Sequence, residues 1–203
     1  MNFDDKAQTW DADPIKQERA RAVAAAMRQR IPLRHDWHAL EYGCGTGLLS
    51  FALLSDFAQI TLADNSTGML AVLDQKIATA GASHLQSLAL DLSTDALPAA
   101  RYDLVYTLLT MHHVADIDRL LRAFHDLLQP GGWLAIADLD AEDGSFHGPG
   151  FIGHNGFDRP TLQNQLVAVG FDSIDFSTCY VMKKPSDQGM RDYPLFLAVA
   201  TRS

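Results

Sequence analysis

At 203 residues, with 47% hydrophobic and 20% charged residues, the chain has the size for one globular domain with a substantial core. A net charge of −9 argues against a broad basic face for a nucleic-acid backbone, and the two distant cysteines, Cys44 and Cys179, match neither a disulfide framework nor a zinc cluster. No apolar run approaches the ~20 residues of a membrane span, and MNFDDKAQTWDADP is acidic where a signal peptide needs positive charge, so a cytoplasmic, unexported protein is expected.

Along the chain, helical and strand signals alternate. Asp13-Pro14 supplies an N-cap and a first-turn proline, and Ala20, Val23, Ala24, Met27 and Ile31 recur at helical spacing, which predicts a helix ending near Pro32. WHALEY reads as a buried strand, GLLSFALLSDF as a helix, QITLAD as a strand, and TGMLAVLDQKIATAG as a helix closed by Gly81. LQSLALD and YDLVYTLL are further apolar strands. Asp116 can cap a helix whose apolar face runs from Ile117 through Phe124 to Leu128, stopped by Pro130-Gly131-Gly132. WLAIAD is a fifth strand, and Asp158 to Gly170 a helix. Two strand-like runs follow, Ser173 to Met182 and Leu195 to Thr201, joined by KKPSDQGMRDYP, which reads as loop. This alternation predicts an α/β fold: a Rossmann-like, doubly wound, mainly parallel seven-stranded sheet with an antiparallel last strand and helices on both faces.

LEYGCGTGLL, residues 40 to 49, places Gly43, Gly45 and Gly47 at alternate positions between a strand and a helix. Such a turn lets a ligand or a neighbouring element come close to the backbone. It is not the dinucleotide fingerprint, because the third glycine of G-x-G-x-x-G would fall on Leu48. No G-x-x-x-x-G-K-[ST] phosphate loop occurs either.

Glu41-Tyr42-Gly43-Cys44-Gly45-Thr46-Gly47 resembles the first motif of class I S-adenosylmethionine-dependent methyltransferases. Asp64 at the end of the second strand, Asp91 at the end of the third, and LLQPGGWLAIAD extend the resemblance over nearly the whole chain. It implies one domain, 1–203, in which 1–32 is a cofactor-covering segment and 139–157 a substrate loop. It implies S-adenosylmethionine as cofactor, cradled by Glu41, Gly43, Cys44, Gly45 and Gly47, with Asp64 on the ribose hydroxyls and Asp91 on the adenine amino group. Trp10, Asn65, Met69, Leu92 and Thr107 complete the implied cofactor set. Asn65 departs from the apolar residue that the family often has there, leaving adenine packing to Leu92 or Met69; Met69 is equally readable as core beside Leu70 and Leu73.

Methyl transfer needs alignment and water exclusion more than covalent help, and a general base only where the nucleophile must lose a proton. The candidates are His112 and His113 after the fourth strand, and His147 and His154 in DLDAEDGSFHGPGFIGHNGFDRP; each could equally cap a helix or lie solvated. No helical i, i+4 pair accompanies them, so no metal is expected. The fourth-strand segment lacks an Asp/Asn-Pro-Pro-Tyr or Pro-Cys sequence, and two cysteines are too few for arsenite, which leaves a small-molecule substrate. A tRNA or protein methyltransferase acting with a partner, and a non-catalytic S-adenosylmethionine-binding protein, stay open as alternatives.

Overall fold

The computed structural model describes residues 3–186 and 189–203. A 3₁₀ segment, Asp4–Ala12, leads into α1 (Pro14–Arg30), where the Asp13 carboxylate caps by accepting from the Ile15 amide at 2.9 Å. There follow β1 (His38–Tyr42), α2 (Leu48–Ala52), β2 (Gln59–Asp64), α3 (Thr67–Ala80), β3 (Leu85–Ala89) and β4 (Tyr102–Leu108). A 3₁₀ turn, Met111–His113, precedes α4 (Ile117–Leu127), β5 (Leu128–Leu139), α5 (Arg159–Val169), β6 (Phe171–Ser186) and β7 (Gly189–Arg202). Asp116 and Asp158 cap α4 and α5, and Gly81 and Gly170 close α3 and α5 in the left-handed conformation.

The seven strands form one sheet in the order β3-β2-β1-β4-β5-β7-β6, parallel except for β7, which runs against both of its neighbours. Each face buries its own core. On one, Val23 and Met27 of α1 pack with Leu49, Phe57 and Leu73; on the other, Leu121 and Phe124 of α4 pack with Leu162 and Leu166 of α5. The chain reverses order between β1 and β4, so the loops leaving β1 and β4 open side by side at the carboxyl edge, the place where doubly wound sheets bind ligands.

Three expectations need correction. KKPSDQGMRDYP is strand where it is described: β6 and β7 continue as a hairpin pairing Lys183 with Asp192 and Lys184 with Arg191, while Asp187 and Gln188 lie outside the described residues, as do Met1 and Asn2 of the covering segment. A cross-strand ion pair, Lys183 Nζ to Asp192 at 2.6 Å, follows the buried pair of Met182 and Tyr193, and Pro185 is tolerated because β6 is an edge strand. Second, Pro130-Gly131-Gly132 does not follow a helix ending at Leu128. α4 stops at Leu127, and the three residues lie within β5, where its register against β4 shifts. Third, the helix over GLLSFALLSDF is only five residues long, ending at Ala52.

Candidate functional site

The glycine loop is fixed from below and from the side. The Gly43 and Cys44 amides both donate to the Ala63 carbonyl of β2, and the Gly45 amide donates to Asp64 Oδ2 at 2.7 Å. Asp64 Oδ1 takes the Ser66 amide at 2.8 Å; burial nevertheless raises the Asp64 pKa above the ordinary carboxylate value, because these amides do not fully replace water. Cys44 is buried, and burial pushes its thiol well above the usual range, so it is no nucleophile.

Glu41 stands behind the loop rather than in its mouth. Its carboxyl is fully buried and accepts from the Ser50 amide at 3.1 Å and from the Ser50 hydroxyl, which lies 2.6 Å from Tyr106 Oη. Burial pushes Glu41 up to about 8, so at neutral pH it is a carboxylic acid bracing the start of α2. Thr107 is likewise interior, its buried hydroxyl without a partner among the described residues. At the other end of the cleft, Asn65 Nδ2 donates to Asp91 Oδ2 at 3.2 Å. Burial opposes ionisation of Asp91, but hydrogen bonds from the Ser93 backbone and Asn65 outweigh it and leave its pKa below the ordinary value. Leu92 is buried beside it, its amide on Tyr42 Oη.

The 3₁₀ segment lies across this loop. Asp4 Oδ1 accepts from Ser66 Oγ at 2.6 Å and the Gly68 amide at 2.8 Å, and Asp11 accepts from the Thr46 hydroxyl. Lys76 of α3 ties the two together, donating to Asp11 at 2.6 Å and to the Thr46 carbonyl at 2.7 Å. These tethers hold Trp10 and Met69 over Gly45: a Cβ built there would meet Met69 Sδ at 3.9 Å and Trp10 Nε1 at 4.0 Å, the nearest non-adjacent atoms among the described residues.

The carboxyl end of β4 brings the histidines alongside. Leu109 adopts a left-handed backbone, φ 53°, uncommon for a γ-branched residue, and turns Thr110 onto the loop, where its hydroxyl donates to the Gly43 carbonyl at 3.2 Å. His112 follows, 2% exposed. Its Nδ1 is 2.6 Å from Asp138 Oδ1, and an acceptor-only carboxylate there requires the proton on Nδ1. Asp138 is itself held by the Leu139 amide at 2.7 Å. His113 and His147 complete a cluster in which one ligand nitrogen from each of the three rings lies within 4.8 Å of the others. Burial pushes both His113 and His147 down to about 4, helped by the neighbouring His112, so both are neutral at pH 7.

His154 does not join them. Its Nε2 sits 3.0 Å from the Val114 carbonyl and its amide donates to the His112 carbonyl, so it fastens the long loop to the 3₁₀ turn. The sequence reading missed Asp138, Thr110 and Asp11. Asp138 carried the one available signal, an acidic residue at the carboxyl end of a parallel strand.

A family model described as a methyltransferase domain matches residues 40–134. A ubiquinone biosynthesis O-methyltransferase of Leptothrix cholodnii is 28% identical over 134 residues, 59% of this chain and 56% of that protein. A trans-aconitate 2-methyltransferase of Deinococcus radiodurans is 31% identical over 132 residues, 63% of this chain and 48% of that protein. The chain spans about half the length of these curated relatives. Among solved structures, the phosphoethanolamine N-methyltransferase 2 of Haemonchus contortus, in complex with S-adenosyl-L-methionine, shares the fold at TM-score 0.71 and 15% identity, covering 100% of this chain and 60% of that one.

Proposed function

We propose that this chain, which belongs to the class I S-adenosylmethionine-dependent methyltransferases, transfers a methyl group to a small-molecule nucleophile held against His112, His113 and His147. The observation that carries the reading is the juxtaposition of the covered glycine loop and the histidine cluster at adjoining strand ends, joined by the Thr110 to Gly43 hydrogen bond. The residues of the cleft fit the cofactor. Gly45 leaves open space under Trp10 and Met69, Asp64 offers an under-solvated carboxylate suited to hydroxyl donors, and the Asn65–Asp91 pair offers polar atoms for an amine. When bound, S-adenosylmethionine supplies a methyl group already activated by its sulfonium.

The chain's own work is then positioning, exclusion of water and management of one proton. Phe3, whose ring lies 5.3 Å from that of His113, and Trp10 close the cleft from the N-terminal side. For a nucleophile that must lose a proton, His112 is the base: with Nδ1–H committed to Asp138, Nε2 presents the lone pair, and the carboxylate stabilises the imidazolium that forms. Two small-molecule methyltransferases among the relatives support this substrate class, and the net charge of −9 disfavours a nucleic-acid substrate.

Calorimetry with S-adenosylmethionine and S-adenosylhomocysteine tests the cofactor half. We expect binding of both, weakened by about 1.5–3 kcal/mol in Asp64→Ala, the range for a hydrogen bond to a charged group. No heat with either compound, from a folded protein, would sink the proposal.

A further inference from the structure

We propose that His112, His113 and His147 form a site for one divalent transition-metal ion of the zinc class, with an open position for an anionic oxygen of the acceptor. The substrate half of this inference rests on the reading of the chamber as the acceptor site; the metal half stands on geometry alone.

The three rings are already arranged around a common point. Their centroids are 4.1, 5.0 and 5.6 Å apart, and three imidazoles on one ion, each bound at roughly 2.0–2.1 Å, place centroids about 5 Å apart. The ligand nitrogens, within 4.8 Å of one another, have to draw in by about an ångström to meet it, a side-chain adjustment. All three donors are imidazole nitrogens, which select zinc, cobalt, nickel, copper or iron over magnesium and calcium. The 3₁₀ turn succeeds where the sequence showed no ligand spacing: it supplies two consecutive histidines, and the long loop after β5 supplies the third.

Two further features point to an ion. His147 Nε2 is buried with no hydrogen-bond partner among the described residues, the condition expected of a ligand atom rather than of a packing residue. His112 shows the outer-sphere arrangement of metal-binding histidines, one ring nitrogen on a buried carboxylate and the other left for the ion. His147 is also held in place, stacked on Phe151 at 3.8 Å and 16°.

Among the described residues, a nearby ammonium opposes a cation. Lys184 acts electrostatically on His147, although its ammonium donates to the Phe146 carbonyl at 2.6 Å and lies over the Phe146 ring. Asp138 beneath His112 offsets that charge, and an anionic acceptor oxygen in the fourth position offsets it further. In the ion-loaded protein the ion would lower the pKa of an acceptor hydroxyl, whose proton would pass to solvent, and His112 would serve as a ligand in place of its role as base.

The chelator-treated chain is titrated with zinc or cobalt alone by calorimetry, and the cobalt form is read for tetrahedral absorption. We expect one ion per chain. His113→Ala and His147→Ala should each abolish the absorption band, and Asp138→Asn should weaken binding by about 10–100-fold, as for other outer-sphere partners. His154→Ala should leave binding unchanged, and Lys184→Met should tighten it. Circular dichroism screens each variant for folding; His147 and Lys184 lie in a loop and an edge strand, so they carry the test if Asp138→Asn fails to fold. No saturable binding, or binding indifferent to both His147→Ala and Lys184→Met, overturns the site. S-adenosylmethionine binding is measured on the same ion-free protein, so loss of the metal site with cofactor binding intact refutes this inference and leaves the methyltransferase reading standing.

Discussion

Gly43, Gly45 and Gly47 share a left-handed backbone, at φ 69°, 53° and 80°, yet each lacks a side chain for its own reason. A Cβ on Gly43 would lie 2.2–2.7 Å from the side chain of Thr110, and one on Gly47 would lie 2.8 Å from Leu73 Cδ1. Gly45 has room, so only its backbone angle and whatever binds above it resist a side chain. Gly45→Ala should therefore cost about 1–2 kcal/mol of stability, the left-handed penalty, while reducing cofactor affinity. Gly43→Ala should destabilise more, because the clash adds to the angle. Urea denaturation paired with calorimetry separates them, and equal stability losses would show that the Thr110 contact yields freely. The histidines make a second prediction. His113 and His147 are held at about 4 in the folded chain, whereas unfolded histidine titrates near 6.5, so below that value the unfolded state takes up protons first. Their neutral burial therefore does not penalise stability above about pH 6.5 and erodes it progressively as pH falls toward 4. Urea midpoints at pH 7.5, 6.5 and 5.5 should fall with acid, and His113→Asn should flatten the dependence; an unchanged slope would place His113 in water.

At the scale of elements, the 3₁₀ segment is the piece held least by the core. Of its residues only Ala7 is buried, and its tethers to α3 and the glycine loop are polar. The Lys76–Asp11 ion pair is partly exposed, at 26% and 32%, the kind of contact worth only ~0–1 kcal/mol. Lys76→Met should thus leave global stability nearly unchanged while raising amide exchange in residues 4–12 and weakening cofactor binding. Intact exchange protection would show that the aromatic contacts of Phe3 and Trp10 suffice. The elements themselves were largely readable, because caps and periodicity are local: Asp13, Asp116 and Asp158 each begin a helix, and Gly81 and Gly170 each end one. The β6–β7 extension was not, since it is held by the backbone ladder between the two strands and by Met182 and Tyr193 packing with Leu139 and Leu195, while its charged residues and edge-strand proline read locally as loop. In the site, the glycine loop and Asp64 were visible as a motif. The His112–Asp138 pair and the approach of His147 depend on contacts across 26 and more residues, which no spacing rule reports.

Across the whole molecule, the sheet order separates two tasks. Strands β3, β2 and β1 present the glycine loop, Asp64 and Asp91, while β4, β5, β7 and β6 carry the histidines and the loop between β5 and α5. That loop is anchored to the far hairpin: Ser145 lies 2.7 Å from Tyr193 Oη, Arg191 pairs with Asp143, and Lys184 donates to the Phe146 carbonyl. Three strands lie between β2 and β7, which at ~4.8 Å per strand puts about 19 Å between Asp64 and the Tyr193 anchor. Sites that far apart and sharing no partner should behave additively. Asp64→Ala should lower cofactor affinity without changing acceptor KM, Tyr193→Phe should raise acceptor KM alone, and the double variant should equal their sum within about 0.3–0.5 kcal/mol in kcat/KM. Thr110 is the exception, because its hydroxyl holds the Gly43 carbonyl and its backbone leads directly into His112. Thr110→Ala should therefore couple to Asp64→Ala and to His147→Ala alike, by more than that margin. Additive behaviour at Thr110, with coupling between Asp64 and Tyr193 instead, would mean that the two halves communicate through the sheet rather than through the β1–β4 junction.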